Sequence, residues 1–487
     1  MSPRTQKESP ITASNLKGFN SFDPAAMTPA AAAALRQAGS SRRDFLRGAG
    51  VMLIGFTVAA KAPRLDAQSP AASPISPAGT VDATQVDSWI AVGADESITC
   101  YTGKVELGQG IRTVQYQLVC EELSVPMERV NLVMGITGIT PDQGTTSGSQ
   151  STITEFSAGG LRQALDTARD ALMALASEQL DATPDQLSVQ DGVVFLTSDP
   201  TQSISYGNLV YGKRFNLTLN SKTVPKDPNT WTVLGTSVPR VDVPAKATGV
   251  FTYVQNVRVP GMKHGKVVRP GTMGAHFVSL DDSSLAGMPG NPKAYHVTGG
   301  PGPGTNRDFV GVVADTEWGA IQAVAALNVN WSTGDTLPNQ ATLYTSYMTS
   351  QTASQDSYAV NSGDVPQMLS SASKTLKATY LHPYQMHGSI GTSCAVADVR
   401  GGSGASASAR IWSSTQGVYP QRDSVATLLG IPGANVQVFF VDGSGCYGLN
   451  GADNVCYDAA LLSQAAGVPV RLQYSRRDEM TAGENYG

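Results

Sequence analysis

The sequence predicts an α+β chain built in several modules, on three observations. Short runs of alternating apolar and polar residues recur along its length and read as strands. Three stretches of helical apolar period each follow a loop of small residues rich in glycine. The strands and helices do not alternate as a parallel βαβ series, and no internal repeat is visible.

Each element has its own signal. Trp89 to Tyr101 alternates as a strand does. After Gly110 the period changes, and Ile111, Val114, Leu118 and Leu123 fit a helix ending near Ser124. Leu161, Leu165, Ala168, Leu172 and Leu175 mark a stronger helix that ends before Thr183-Pro184. Residues 240–335 hold many short strand-like runs punctuated by Gly and Pro, with one helix near Trp318 to Ala326. From Leu376 strands return, among them 395–399, 409–413 and 436–441. A glycine loop then opens a third helix, Ala452 to Ala466, stopped by Gly467 and Pro469.

Composition narrows the function classes. The 487 residues carry 34 basic and 39 acidic side chains, a net charge of -5. Only 15% are charged, against about 25% in an average soluble protein. With no basic block, nucleic acid is excluded as the main partner. Five cysteines without a Cys-x-x-Cys pair exclude a zinc ribbon, a thioredoxin motif and a c-type haem site. The apolar run at 51–60 is too short to span a bilayer as an ordinary helix. It follows Ser41-Arg42-Arg43-Asp44-Phe45-Leu46-Arg47, and the pair reads as a twin-arginine export signal. That route carries folded cargo, which implies a periplasmic protein whose cofactor is inserted before export. Pro63 after Ala60-Lys61-Ala62 disfavours cleavage and leaves attachment to the inner membrane open. Residues 1–67 are thus the signal region and 68–85 a Pro/Ser/Ala linker.

Three glycine loops carry the chemical signal. Gly108-Gln109-Gly110 precedes the first helix, and Gly144-Thr145-Thr146-Ser147-Gly148-Ser149-Gln150-Ser151-Thr152 the second. Gly443-Ser444-Gly445-Cys446-Tyr447-Gly448-Leu449-Asn450-Gly451 precedes the third. Small-residue loops at helix N-termini expose backbone N–H groups at the positive end of the dipole, where phosphate binds. Ordinary helix capping is the alternative for each loop. None is a P-loop or a dinucleotide fingerprint.

Gly103-Lys104-Val105-Glu106-Leu107-Gly108-Gln109-Gly110 resembles the G-x-x-E-M-G-Q-G signature of the molybdenum hydroxylases, the xanthine dehydrogenase/aldehyde oxidase family. The order of segments is similar to its exported branch, the isoquinoline 1-oxidoreductase β-subunit and nicotinate dehydrogenase large-subunit types. Val238 to Gly249, Pro260-Gly261-Met262 and Val268-Arg269-Pro270 are similar to that branch's α/β hammerhead. Ser414-Thr415-Gln416 and Gly443 to Gly448 resemble landmarks of the domain that follows. The resemblance implies molybdopterin-binding segments at 86–235 and 336–487, flanking a hammerhead at 236–335.

It also implies roles for named residues. Gly108, Gln109 and Gly110 would meet the pterin, and Gly148, Ser149 and Ser151 the cofactor phosphate. Gln416 would contact an oxo ligand of molybdenum and is the catalytic candidate. Gly445, Cys446 and Tyr447 would line the cofactor, and no side chain of this chain is expected to ligate the metal directly. Asn450 stands where xanthine dehydrogenase has a substrate-binding glutamate, so purine recognition does not carry over. The cofactor implied is molybdenum with molybdopterin cytosine dinucleotide. No cysteine set can hold an iron–sulfur cluster, which places a 2Fe-2S centre on a small partner subunit and leaves room for a cytochrome c. The family's general base, a glutamate in a Val-Gly-Glu segment, is expected beyond Gly487. Gly483-Glu484 sits in flanks that match an earlier strand. The reaction implied is hydroxylation of an N-heteroaromatic or aldehyde substrate with oxygen from water. An exported, non-catalytic homologue that binds a partner or an anion is the alternative.

Overall fold

The computed structural model describes residues 81–480 apart from 148–150, 152–154, 273, 301–306, 335–338, 350–359, 361, 384 and 450–451. The twin-arginine segment, most of the linker, Gly148, Ser149, Asn450 and Glu484 lie outside the described residues.

The predicted strand at Trp89–Tyr101 is a hairpin. Strands β1 (Ile90–Val92) and β2 (Ile98–Thr102) pair antiparallel across a turn at 93–97. Helix α1 (Ile111–Leu123) then crosses to β3 (Val130–Met134), which pairs parallel to β2. Helix α2 (Leu161–Leu180) packs on α1 and buries Leu161, Ala164, Leu165, Ala168, Leu172 and Ala176. Leu175 instead faces out, because the i, i+4 stripe from Leu172 runs to Ala176. Strands β4 (Leu187–Gln190), β5 (Val193–Leu196) and β6 (Asp199–Ser205) form an antiparallel meander beneath α2.

The next stretch supplies β7 (Lys263–Val268), β8 (Phe277–Asp281), β9 (Lys293–Gly300), β10 (Arg307–Ala314) and β11 (Asn328–Trp331). Helix α3 (Glu317–Ala326) lies between β10 and β11, capped by the Thr316 hydroxyl, which accepts from the Gly319 N–H. Helices α4 (Leu343–Thr349) and α5 (Val365–Ser371) follow. The last stretch holds β12 (Cys394–Arg400), β13 (Ser408–Ser413), α6 (Val418–Leu429), β14 (Val436–Phe440), α7 (Ala452–Ala466) and β15 (Val470–Gln473). Seven strands make one sheet in the order β14-β13-β12-β15-β7-β10-β9, while β8 and β11 pair apart from it. Helix α7 lies close on this sheet. A Cβ on Gly311 of β10 would stand 2.4 Å from Leu462 Cδ1, so a larger residue there would displace that side chain.

Three features depart from the sequence reading. Helix α6 carries Gln421 and Arg422 among its buried residues, which breaks the apolar period that would announce it. Two parallel βαβ units occur, β2–α1–β3 and β13–α6–β14. No strand begins at Leu376; the next one is β12, at Cys394.

The small and large sheets join at one place. Phe440 N–H donates to the Gly135 carbonyl (2.8 Å), Thr137 N–H to the Val438 carbonyl (3.1 Å), and Ile136 bridges Phe439. Trp412 and Phe439 stack at 5.4 Å within a core that also takes in Trp89, Leu118 and Leu165. This junction sets the end of β14, and the loop after it, beside the loop that opens α1.

Candidate cofactor-binding site

Glu106 organises the first loop. Its side chain is buried, and its Oε1 accepts from the N–H groups of Gly108 (2.8 Å) and Gly110 (3.0 Å). Its Oε2 accepts from the Arg112 N–H at 3.1 Å. Gly108 and Gly110 have φ of 110° and 90°, the left-handed region that lets the loop fold around the carboxylate. The positive end of α1 is therefore filled by the chain's own anion. Capping, not external phosphate, uses this loop.

A charged network extends from Glu106. Arg240 donates to Glu106 (3.2 Å), to the Gly108 carbonyl (2.9 Å) and through two bonds to Asp242 (3.0 and 2.8 Å). Lys246 bridges Asp242 (2.7 Å) and Asp442 (3.0 Å). Arg112 pairs with the other Asp442 oxygen at 2.7 Å. Three cations thus balance three carboxylates. Burial pushes the Asp242 carboxyl up, but hydrogen bonds and charge from Arg240 and Lys246 hold it far below the ordinary carboxylate range. Lys246 and Arg112 also lie over the Phe251 ring, at 4.8 and 5.7 Å.

Part of this network lines a cavity of about 380 Å³ between the first loop, residues 246–256 and the loop after β14. Glu106, Lys246, Asp442, Gln255, Ser414, Ser444 and Cys446 are among its lining residues. Gln255 Nε2 donates to the Ser444 hydroxyl (3.1 Å) and the Thr392 carbonyl (3.3 Å). Its Oε1 is buried with no hydrogen-bond partner. An orphaned amide oxygen in a cavity wall costs roughly 1–3 kcal/mol until a donor reaches it.

The predicted residues divide between this cavity and the second loop. Gly108, Gly445 and Cys446 line the cavity. Gln109 is exposed; its amide accepts from the Leu107 N–H (2.6 Å) and donates to the Val105 carbonyl (3.0 Å), closing its own turn. Gly110 caps α1. Tyr447 is 60% exposed, and its carbonyl accepts from His387 Nδ1 at 3.0 Å. Gln416 faces the second loop: its Nε2 donates to the Thr146 carbonyl (2.9 Å), and its own carbonyl accepts from the Thr146 N–H (2.6 Å). In the same loop the buried Ser151 accepts from the Ser147 N–H at 2.8 Å. None of the five cysteines forms a disulfide, and all are buried.

A buried polar cluster fastens the base of the second loop. Gln143 donates to Glu155 Oε1 (2.9 Å) and accepts from the Gly103 N–H (2.7 Å). Lys104 donates to the carbonyls of Gln143 (2.6 Å) and Thr145 (2.9 Å). Burial pushes the Glu155 carboxyl up to about 7, against the pull of Gln143, Gln115 and Lys104. Its Oε2 and the Gln115 Oε1 both lack partners.

Sequence reasoning missed Arg112, Arg240, Asp242, Lys246, Asp442 and Gln255 as a group. Arg240, Asp242 and Lys246 sit inside one motif, Val238 to Gly249, but Arg112 and Asp442 are 330 positions apart. No local spacing encodes that pair.

A molybdopterin cofactor-binding domain matches residues 25–279, and a second matches residues 349–485. The chain belongs to the molybdopterin-binding subunits of the xanthine dehydrogenase family. Three relatives frame this family member. It is 36% identical over 449 residues to a nicotinate dehydrogenase subunit of Pseudomonas putida, covering 90% of this chain and 35% of that protein. It is 27% identical to the membrane-bound pyrroloquinoline-quinone aldehyde dehydrogenase of Gluconacetobacter polyoxogenes, covering 91% and 56%. Identity to the β-subunit of isoquinoline 1-oxidoreductase of Brevundimonas diminuta is 25%, covering 90% and 60%. The chain thus spans between about a third and three fifths of the length of these relatives.

The cavity residues fit a pterin. A pterin ring offers N–H donors and ring acceptors. The orphaned Gln255 oxygen answers the first, and the Ser414 and Ser444 hydroxyls can donate to the second.

Proposed function

We propose that this chain is the molybdenum-binding portion of an exported oxidoreductase complex. The complex hydroxylates an N-heteroaromatic or aldehyde substrate with oxygen from water. The observation that carries the reading is the cavity that Gln255, with its unpartnered amide oxygen, lines together with Ser414 and Ser444, in a chain of this family. The names of the nicotinate and isoquinoline relatives support the substrate class. Residues 86–235 and 336–487 serve as molybdopterin-binding segments around a hammerhead at 236–335. The cofactor is the cytosine dinucleotide form. Electrons leave to a 2Fe-2S centre on a small partner subunit and onward to a cytochrome c. The complex works in the periplasm, delivered by the twin-arginine route.

When bound, the molybdenum–pterin group supplies two-electron redox chemistry. The chain's own residues bind and orient it. Gln255, Ser414 and Ser444 would hold the pterin, and Ser151 with its loop would hold the phosphate end. Gln416 uses one N–H on Thr146, and its second N–H would be the donor offered to the cofactor. The network of three cations and three carboxylates beside the cavity is neutral as a whole. Neither Glu106 nor Asp442 serves as general base, since each carboxylate oxygen already accepts from N–H groups or cations. The test is metal and pterin analysis of the complex purified with its co-expressed subunits. Stoichiometric molybdenum and a nucleotide-bearing pterin are expected; their absence sinks the proposal.

A further inference from the structure

Every described residue from 362 to 383 is exposed. Within this stretch α5 buries none of its residues. Its Val365, Met368 and Leu369 are 60%, 69% and 59% exposed, and they share one helical face at i, i+3 and i+4. Past α5, residues 374–383 form neither helix nor strand. Among the described residues, none of their backbone or side-chain groups makes a hydrogen bond. Yet Leu376-Lys377-Ala378-Thr379-Tyr380 alternates as a half-buried strand does. Leu376 and Tyr380 are 90% and 91% exposed instead. A strand needs a neighbour for its N–H and C=O groups, and an apolar surface of this extent marks an interaction site. Here local sequence and local surroundings disagree, as they do where a partner is missing.

The relatives point to the partner. About nine tenths of this chain aligns with each of them, so the surplus, at least two fifths of each relative, lies outside the match. We propose that residues 365–381 form a docking surface for the polypeptide that corresponds to that surplus, whether it is joined to this chain or separate. Residues 374–381 add as a strand to one of its sheet edges. The Val365, Met368 and Leu369 face packs beside that edge. The inference rests on family membership and stands apart from the proposed activity.

The test is a benzophenone photocrosslinker placed at Tyr380 of the chain in its own cells, with adducts sequenced by mass spectrometry. The same label at Tyr211, 75% exposed and remote in sequence, is the control. The expected adduct from position 380 is a peptide whose sequence aligns with the surplus of the relatives, with none from position 211. Ala378→Pro removes a strand N–H and should lower the adduct yield tenfold or more. Because Ala378 is exposed and unbonded, an unchanged thermal midpoint of the isolated chain shows that this variant still folds. An adduct to a second copy of the chain, an adduct to an unrelated polypeptide, equal labelling from both positions, or no adduct overturns the proposal. So does an undiminished yield in Ala378→Pro.

Discussion

Glu106→Gln is the sharpest test of the site's construction. The carboxylate accepts from three backbone N–H groups and from Arg240. A glutamine oxygen can keep the bonds to Gly108 and Gly110, but its NH₂ then meets the Arg112 N–H, donor against donor. One buried N–H left unpaired costs about 1–3 kcal/mol. Removing a negative charge from the start of α1 costs up to about 1 kcal/mol more. The network also changes from neutral to one excess cation. Together these predict roughly 3 kcal/mol of local destabilisation, or about a hundredfold at 1.4 kcal/mol per tenfold. Amide hydrogen exchange followed by mass spectrometry reads this directly, because local opening of the first turn of α1 exposes the Gly110 and Arg112 amides. Exchange there should accelerate about a hundredfold while α2 is unaffected. Glu106→Asp, which keeps the charge on a shorter arm, should fall between. A change below threefold would refute the cap as the loop's organiser. An equal change in α2 would show global loosening instead.

The other predictions concern the cavity and the second loop. Gln255→Leu removes the orphaned acceptor, so the purified complex should lose most of its pterin, measured by fluorescence after oxidation, while the thermal midpoint of the cofactor-free chain holds or rises. Gln416→Ala should cut turnover of the loaded complex by roughly 10²–10³ if its second N–H serves the reacting centre; full turnover would remove it from the chemistry. The raised Glu155 carboxyl gives a pH signature. Its folded value of about 7 lies above the ordinary 4.5, so this group's stabilisation is whole below pH 4.5 and is lost as pH rises to about 7. The loss is on the order of 3 kcal/mol. Urea midpoints of Glu155→Gln should therefore gain on wild type between pH 5 and pH 8, and a constant gap between the two would contradict the buried-acid assignment.

Helices α1, α2 and α7 were legible in the sequence because each pairs a 3.6-residue apolar period with a glycine-containing loop before it. The cap by Glu106 is equally local, joining residues two, four and six positions apart. So was the family, through the Gly-Gln-Gly motif. Tertiary structure decided the rest. Strand β14 is buried on both faces at Val438, Phe439 and Phe440, so no alternation announces a parallel crossover. Leu376 to Tyr380 has the alternation of a strand, but a strand forms only against a neighbour, and none is at hand among the described residues. Gln109, Gln416 and Tyr447 stand close to cavity residues in sequence, yet none of them lines the cavity: Gln109 and Gln416 bond loop backbone, and the Tyr447 carbonyl meets the His387 ring. The charged network needs Arg112 and Asp442 together across 330 positions. Such a pair has no local period to betray it; only the closure of the two sheets at residues 135–137 brings the loops that carry it into contact.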